Sequence, residues 1–220
     1  MITSVRRRAN IESQTGFIPD AEIVEYLNTH LADLYDKLVQ AGGQPRMRTA
    51  YSVSLVSGTD TYALPGDFYQ LQSIDILISA NQRISARPFM EYERNTFKGW
   101  NTPWTVGRPV YYRLQGDNIV FIPMPSASFT AEMHYYAAFQ SLVNVGDRFD
   151  GVNGWEEYAI WLAVADCKGK GDEDPSYAMG RAGQLAVRIE GLAPQRDAGG
   201  AERVQDVLYD DSAGGMRGGF

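Results

Sequence analysis

Two histidines, one cysteine and a few short charged clusters are the places where this chain could carry chemistry. His30 lies beside the apolar stripe of a helical pattern, and His134 falls within a strand pattern. No His-x-x-x-His or Cys-x-x-Cys spacing accompanies them, so a hydrogen-bonded histidine at the edge of a core is the expected role of each. Gly169-Lys170-Gly171 has the residue types of a phosphate loop. It lacks the Gly-x-x-x-x-Gly-Lys-Ser/Thr spacing, and no strand leads into it. Asp172-Glu173-Asp174 lacks the alternating ligands and central glycine of a calcium loop, and helix capping accounts for it better. Glu156 and Glu157 have the residue type of a glycosidase pair. Neighbouring residues on a helix point about 100° apart, so these two do not converge on one bond. The 27 acidic residues leave open a pair assembled from distant positions. The expectation is no catalytic, cofactor-binding or metal site, and no cofactor.

The formal net charge of −7 argues against a general nucleic-acid surface, which needs a basic stripe. Arg6-Arg7-Arg8 is the one basic cluster; a solvated helix face or subunit contact is its expected role, with phosphate contact the lesser alternative. Trp100 and Trp104 sit among Gly, Asn, Thr and Pro between Phe97 and Gly107, which suits a packed lid or an exposed contact loop. No apolar run approaches the roughly 20 residues that span a bilayer, and the start of the chain lacks a signal-peptide core. A single cysteine, Cys167, fits a reducing compartment.

The elements that would position these residues read as helices, then strands, then helices. Thr3–Ser13 suggests a short helix ended at Thr15-Gly16. From Pro19-Asp20 a longer one carries Ile23, Leu27, Leu31, Leu34 and Leu38 at spacings of four and three, and Gly42-Gly43 stops it. Between about Met47 and Leu142 the pattern turns to strands. Tyr51, Val53 and Leu55 alternate with serines, and Leu71–Ile78 forms a further run. Arg87–Thr96 suggests a short inserted helix with Pro88 near its start. Val110–Leu114 and Ile119–Ile122 flank a tight turn at Gln115–Asn118. Pro123–Ser126 then breaks the ladder before Phe129–Ala137, where Met133, Tyr135 and Ala137 share a face. From Asn153 the helical period returns, with Trp155, Tyr158, Ala159, Leu162 and Ala165 on one face. Asp174 and Pro175 start a last helix, whose stripe is Ala178, Ala182, Leu185, Ile189 and Leu192. Its small residues Gly180, Ala182, Gly183 and Ala186 suit a subunit contact. Pro194 ends it. The glycine-rich remainder is too polar to bury a core, apart from the apolar patch Val204, Val207, Leu208 and Tyr209.

The expected fold is α+β. A bundle made of N-terminal helices (1–46) and C-terminal helices (153–196) carries an inserted antiparallel β module (47–152), sandwich or barrel-like, and a flexible tail (197–220).

The order of motifs resembles the head-to-tail adaptor proteins of tailed phages. The resemblance is carried by Asp20-Ala-Glu-Ile-Val-Glu-Tyr-Leu-Asn28, by Tyr62-Ala-Leu-Pro-Gly-Asp-Phe68 before an apolar strand, and by Gly116-Asp-Asn-Ile-Val-Phe-Ile-Pro-Met-Pro125 before a strand ending Tyr135-Tyr136. Trp155-Glu-Glu-Tyr158 opening a helix completes it. It covers Ile2 to Leu192. It implies a homo-oligomeric ring, normally of twelve subunits, in the virion neck, made in host cytoplasm and seated between a portal protein and a tail or nozzle protein. Genome DNA would pass through without specific binding, and no membrane is involved. The helical part would face the portal and the β module the tail, with Trp100 and Trp104 as a tail-facing loop. A C-terminal segment would reach the portal through Val204, Val207, Leu208, Tyr209, Met216 and Phe220. Two other readings stay open: a phage-associated cell-wall hydrolase, and a carbohydrate- or ligand-binding module using Trp100 and Trp104.

Overall fold

The computed structural model describes residues 1–41, 47–93, 110–144, 147, 149 and 154–194. Its elements are helices α1 (Ile2–Ala9) and α2 (Asp20–Gln40), strands β1 (Arg48–Leu55), β2 (Thr61–Ala63), β3 (Phe68–Ser79), β4 (Gln82–Ser85), β5 (Arg87–Pro88), β6 (Tyr111–Gln115), β7 (Asn118–Ile122) and β8 (Phe129–Ala137), and helices α3 (Glu157–Lys170) and α4 (Ser176–Leu192). The fold is α+β, as the periodicities require. Gly42-Gly43, Trp100, Trp104 and the segment from residue 195 onward lie outside the described residues.

In α2 the expected stripe is the observed one: Ile23, Leu27, Leu31, Leu34 and Leu38 are all buried. Tyr35 and Val39 are buried as well, on a flank that packs against Tyr136 of β8. Helix α3 differs from expectation. It starts after Trp155, and Ile160, Ala163, Val164 and Cys167 are buried along with Tyr158, Ala159 and Ala165. α1, α2 and α4 all pack on it, so its buried surface is wider than one stripe and its charged residues are confined to a narrow rim. α1 is shorter than expected. Asn10 adopts the left-handed conformation (φ 59°), and its N–H together with that of Ile11 returns to the carbonyls of Arg7 and Arg6, closing the helix at Ala9.

Arg6, expected on a solvated face, is buried. Its Nη2 donates to the Ile18 carbonyl at 2.8 Å and to Asp20 Oδ1 at 2.6 Å, Nε donates to the same oxygen at 2.8 Å, and Nη1 donates to the Ile11 carbonyl at 3.3 Å. One guanidinium thus satisfies two carbonyls of the α1–α2 connection and the first residue of α2. The rigid fork of Arg suits this; a lysine has no comparable geometry.

The strands form two four-stranded sheets, ordered β1-β8-β3-β4 and β2-β7-β6-β5. All pairings are antiparallel except β5 with β6. Val53, Leu55, Ile74, Ile76, Ala131, Met133 and Tyr135 of the first sheet meet Ile119 and Phe121 of the second in one core, so the β module is a sandwich. β6 and β7 form the expected hairpin, with Gln115 opposite Asn118 and Gly116 at φ 55° in a two-residue turn. The third strand of that run leaves the hairpin. After Pro123 and Pro125, which have no N–H to give a ladder, β8 crosses to the centre of the first sheet. The helix expected at Arg87–Thr96 is absent over its described part. Arg87 N–H donates to the Val110 carbonyl at 2.9 Å and Phe89 N–H to that of Tyr112 at 3.2 Å, which makes an edge strand, and only Glu91–Glu93 form a turn of 3₁₀ helix. Pro88 falls between the two donors, where its missing N–H costs nothing.

Helices and sandwich meet where the chain returns from β8. The Tyr35 hydroxyl donates to the Ala137 carbonyl at 2.5 Å, and the Tyr69 hydroxyl to Asp36 Oδ1 at 2.8 Å. Asn28 clamps Leu142 on both sides, its Oδ1 accepting the backbone N–H at 2.7 Å and its Nδ2 donating to the carbonyl at 3.0 Å.

Arg6→Met tests the buried guanidinium. It leaves the Ile11 and Ile18 carbonyls without a donor, and should cost about 1.5–3 kcal/mol in urea unfolding. A loss under about 0.5 kcal/mol would show that water replaces the contact.

Candidate assembly surfaces

The residues that invited a chemical reading are held in separate contacts. His30 Nε2 lies 2.6 Å from Asp166 Oδ2, joining α2 to α3, while His134 stands 4.0 Å from Glu132 within β8. Lys170 ends α3 and donates to both oxygens of Glu22, at 2.7 and 2.6 Å, with its ammonium 5.2 Å from the Phe17 ring. Gly169-Lys170-Gly171 is therefore the C-terminus of a helix pinned to α2. Lys168 pairs with Glu173 at 2.7 Å. Asp174 Oδ1 accepts the backbone N–H of Ser176 at 2.9 Å, but the cap position of α4 belongs to Pro175, so Asp174 holds the first helical residue from one position further out than expected.

Glu157 pairs with Arg8, whose guanidinium lies 4.8 Å from the Trp161 ring. Glu156 turns elsewhere: its Oε2 is buried with no hydrogen-bond partner among the described residues. The two adjacent carboxylates diverge, as helical geometry demands. Cys167 is buried in the helical core, and burial pushes its thiol up to about 11. The Glu22 carboxyl is pulled below its ordinary value, first by the hydrogen bond from Lys170 and then by that from Tyr26.

Among the described residues, one surface that packing leaves open is the outward face of α4. Ala178, Ala182 and Ile189 are its buried positions. The four small residues singled out in the sequence divide between the two faces. Ala182 packs into the core beside Leu31, Leu34 and Trp155, and Ala186 flanks that core. Gly180 and Gly183 face outward, and a Cβ built on either meets nothing within 4 Å. Around them Tyr177 is 69% exposed, Met179 56% and Val187 71%. These apolar residues fall off the Ala178–Leu192 stripe. That was the signal available in the sequence, and reading the stripe alone missed it. Leu192, placed on the stripe, is in fact 43% exposed. Glycine inside an exposed helix costs roughly 0.5–1 kcal/mol relative to alanine, and no contact among the described residues requires it.

Two predictions arise from these surfaces. Gly180→Ala and Gly183→Ala should each raise the stability of the isolated chain by about 0.5–1 kcal/mol in chemical denaturation; a loss would mean the glycines serve this chain's own fold. Lys170→Met should return the Glu22 carboxyl toward its ordinary value of 4.5, read by carboxyl-carbon NMR titration. Because the folded value is the lower one, the contribution of the pair is complete above the unfolded value and disappears as pH falls through the folded value. An unchanged Glu22 titration in the variant would disprove the coupling.

A family model described as SU10 adaptor protein matches residues 1–205. No curated protein matches the chain.

Proposed function

The chain belongs to the SU10 adaptor protein family, a family of phage structural adaptors, and from this premise we propose that its copies form a ring, of twelve subunits, joining the portal of a tailed phage to the tail or nozzle and leaving a channel for the genome. A phage structural adaptor is a component of the virion. The observation that carries the reading is the outward face of α4, where the exposed Met179 and Val187 flank two glycines that no packing among the described residues uses. Such a face suits close lateral approach of an identical subunit, and heterologous contacts of that kind close into rings. The net charge of −7 supports a channel that repels DNA phosphates and does not retain them.

In this proposal residues 1–46 and 153–196 act as the bundle against the portal. Residues 47–152 act as the module toward the tail, with Trp100 and Trp104 on a tail-facing loop. The segment 197–220 serves as the portal anchor. Fixing its glycine-rich backbone costs roughly 1–2 kcal/mol per residue. Burial of Val204, Val207, Leu208, Tyr209, Met216 and Phe220 in a groove of another protein offsets part of that cost.

Val187→Glu places a charge at the centre of the α4 face without touching the core. It should change the stability of the isolated chain by no more than about 0.5 kcal/mol and abolish incorporation into necks. Particles with a normal complement of the variant would refute lateral assembly through α4, and the copy number follows from a reconstruction of wild-type particles. Deletion from Ala201 onward should leave a folded chain that no longer joins DNA-filled heads, and a normal yield of infectious particles would remove the anchor from the proposal.

A further inference from the structure

Among the described residues the two sheets of the sandwich end in four edge strands, of which β1 is the longest. The second sheet ends on one side at β2, three residues long, and on the other at β5, two residues that include Pro88. The first sheet ends on one side at β4, four residues whose Arg83 is tied back to Glu132 at 2.6 Å. Its other side is β1, eight residues that pair only with β8 among the described residues. From Thr49 to Leu55 this strand has no charge and no proline, and only Val53 and Leu55 in it are buried. A long uncharged edge leaves a row of backbone N–H and C=O groups ready to accept another strand, a liability that folded proteins otherwise suppress. Short strands and a proline suppress it at both edges of the second sheet, whereas at β4 the charge of Arg83 is matched by Glu132 within its own sheet.

We propose that β1 is an intersubunit edge that pairs antiparallel with β4 of a second copy of this chain, so that the first sheet continues from one subunit into the next. The inference rests on the ring reading above. The choice of occupant follows from strand directions. Each neighbouring pair in β1-β8-β3-β4 is antiparallel, and the number of strands is even. β4 of a copy set side by side with β1 therefore runs antiparallel to it without the copy being turned over. Pairing of β1 with β1 needs a two-fold and stops at a dimer. Pairing of β1 with β4 leaves one edge of each kind free on every growing assembly, the condition for a closed ring. Side chains are compatible as well. Ser52 and Ser54 lie on the face of Glu132 and Thr130, opposite Val53 and Leu55, and Ser85 lies on that same face, reached through Asp75. The incoming β4 thus meets hydroxyl groups, and the charge of its Arg83 is already matched by Glu132.

Cysteine pairs test this directly, because the native Cys167 is buried and contributes no background. Ser52→Cys and Ser54→Cys are each combined with Ser85→Cys, and particles carrying the variants are mildly oxidised. At least one double variant should give a ladder of covalent multimers of this chain, and no single variant should. In parallel, the amides between Thr49 and Ser54 that point away from β8, at alternate positions of β1, should exchange at least about tenfold more slowly in wild-type particles than in the free chain. Dimers from Ser52→Cys or Ser54→Cys alone, a cross-link to a different protein, or particles with normal amounts of the chain and neither a ladder nor slowed exchange would each overturn the proposal. A reconstruction of the same particles separates the two levels. Copies not arranged in a ring defeat the ring reading, whereas a ring whose β1 amides exchange as in the free chain defeats the edge pairing alone.

Discussion

Asn28 and Tyr35 hold the chain at the point where it comes back from the sandwich, and the relation between helices and sheets depends on that hold. The chain leaves the helical part after α2 and returns after β8. Tyr35 takes the last carbonyl of β8, and two turns earlier on the same helix Asn28 takes both backbone groups of Leu142. An inserted module tied only by its two connections would pivot. Here one face of α2 serves the helical core and the adjoining flank receives Tyr136, so the long helix belongs to both parts. Each hydrogen bond contributes only about 1 kcal/mol; their value lies in direction, since the carbonyls and hydroxyls they join have fixed places in a strand and a helix.

Around that joint the helical part is organised by enclosure. α3 is wrapped by α1, α2 and α4, and the charged residues at its rim bind back to those neighbours: Arg8 to Glu157, Lys170 to Glu22 and His30 to Asp166. Pairs open to water contribute little stability, so they orient the helices more than they stabilise them. Arg6 is the exception because it is buried and its partners include two backbone carbonyls. Among the described residues, His30, Glu157, Lys170 and Asp174 each have a structural partner, and two of the surfaces left open bear on assembly. Those are the glycine-bearing face of α4 and the long edge of β1. Both suit contacts between chains, in keeping with a family of phage structural adaptors.

Much of the architecture was legible in the residues alone, because periodicity is a local property. The α2 stripe and the β6–β7 hairpin follow from spacings within a few residues, and both appear in the structure. The α+β order of helices, strands and helices was legible for the same reason. The motifs from Asp20 to Tyr158 also carried the family resemblance, since order along the chain is what a sequence preserves. What tertiary structure alone decided involves partners far apart in sequence. Arg6 reads as surface until Ile18 and Asp20 come round to it, and α3 reads as one-sided until three helices close on it. Val110–Leu114, Ile119–Ile122 and Phe129–Ala137 read as one run until β8 crosses to another sheet. The Arg87 segment reads as a helix until the carbonyls of Val110 and Tyr112 present themselves as acceptors. Local spacing encodes which face is apolar; only the folded chain supplies the groups that face it.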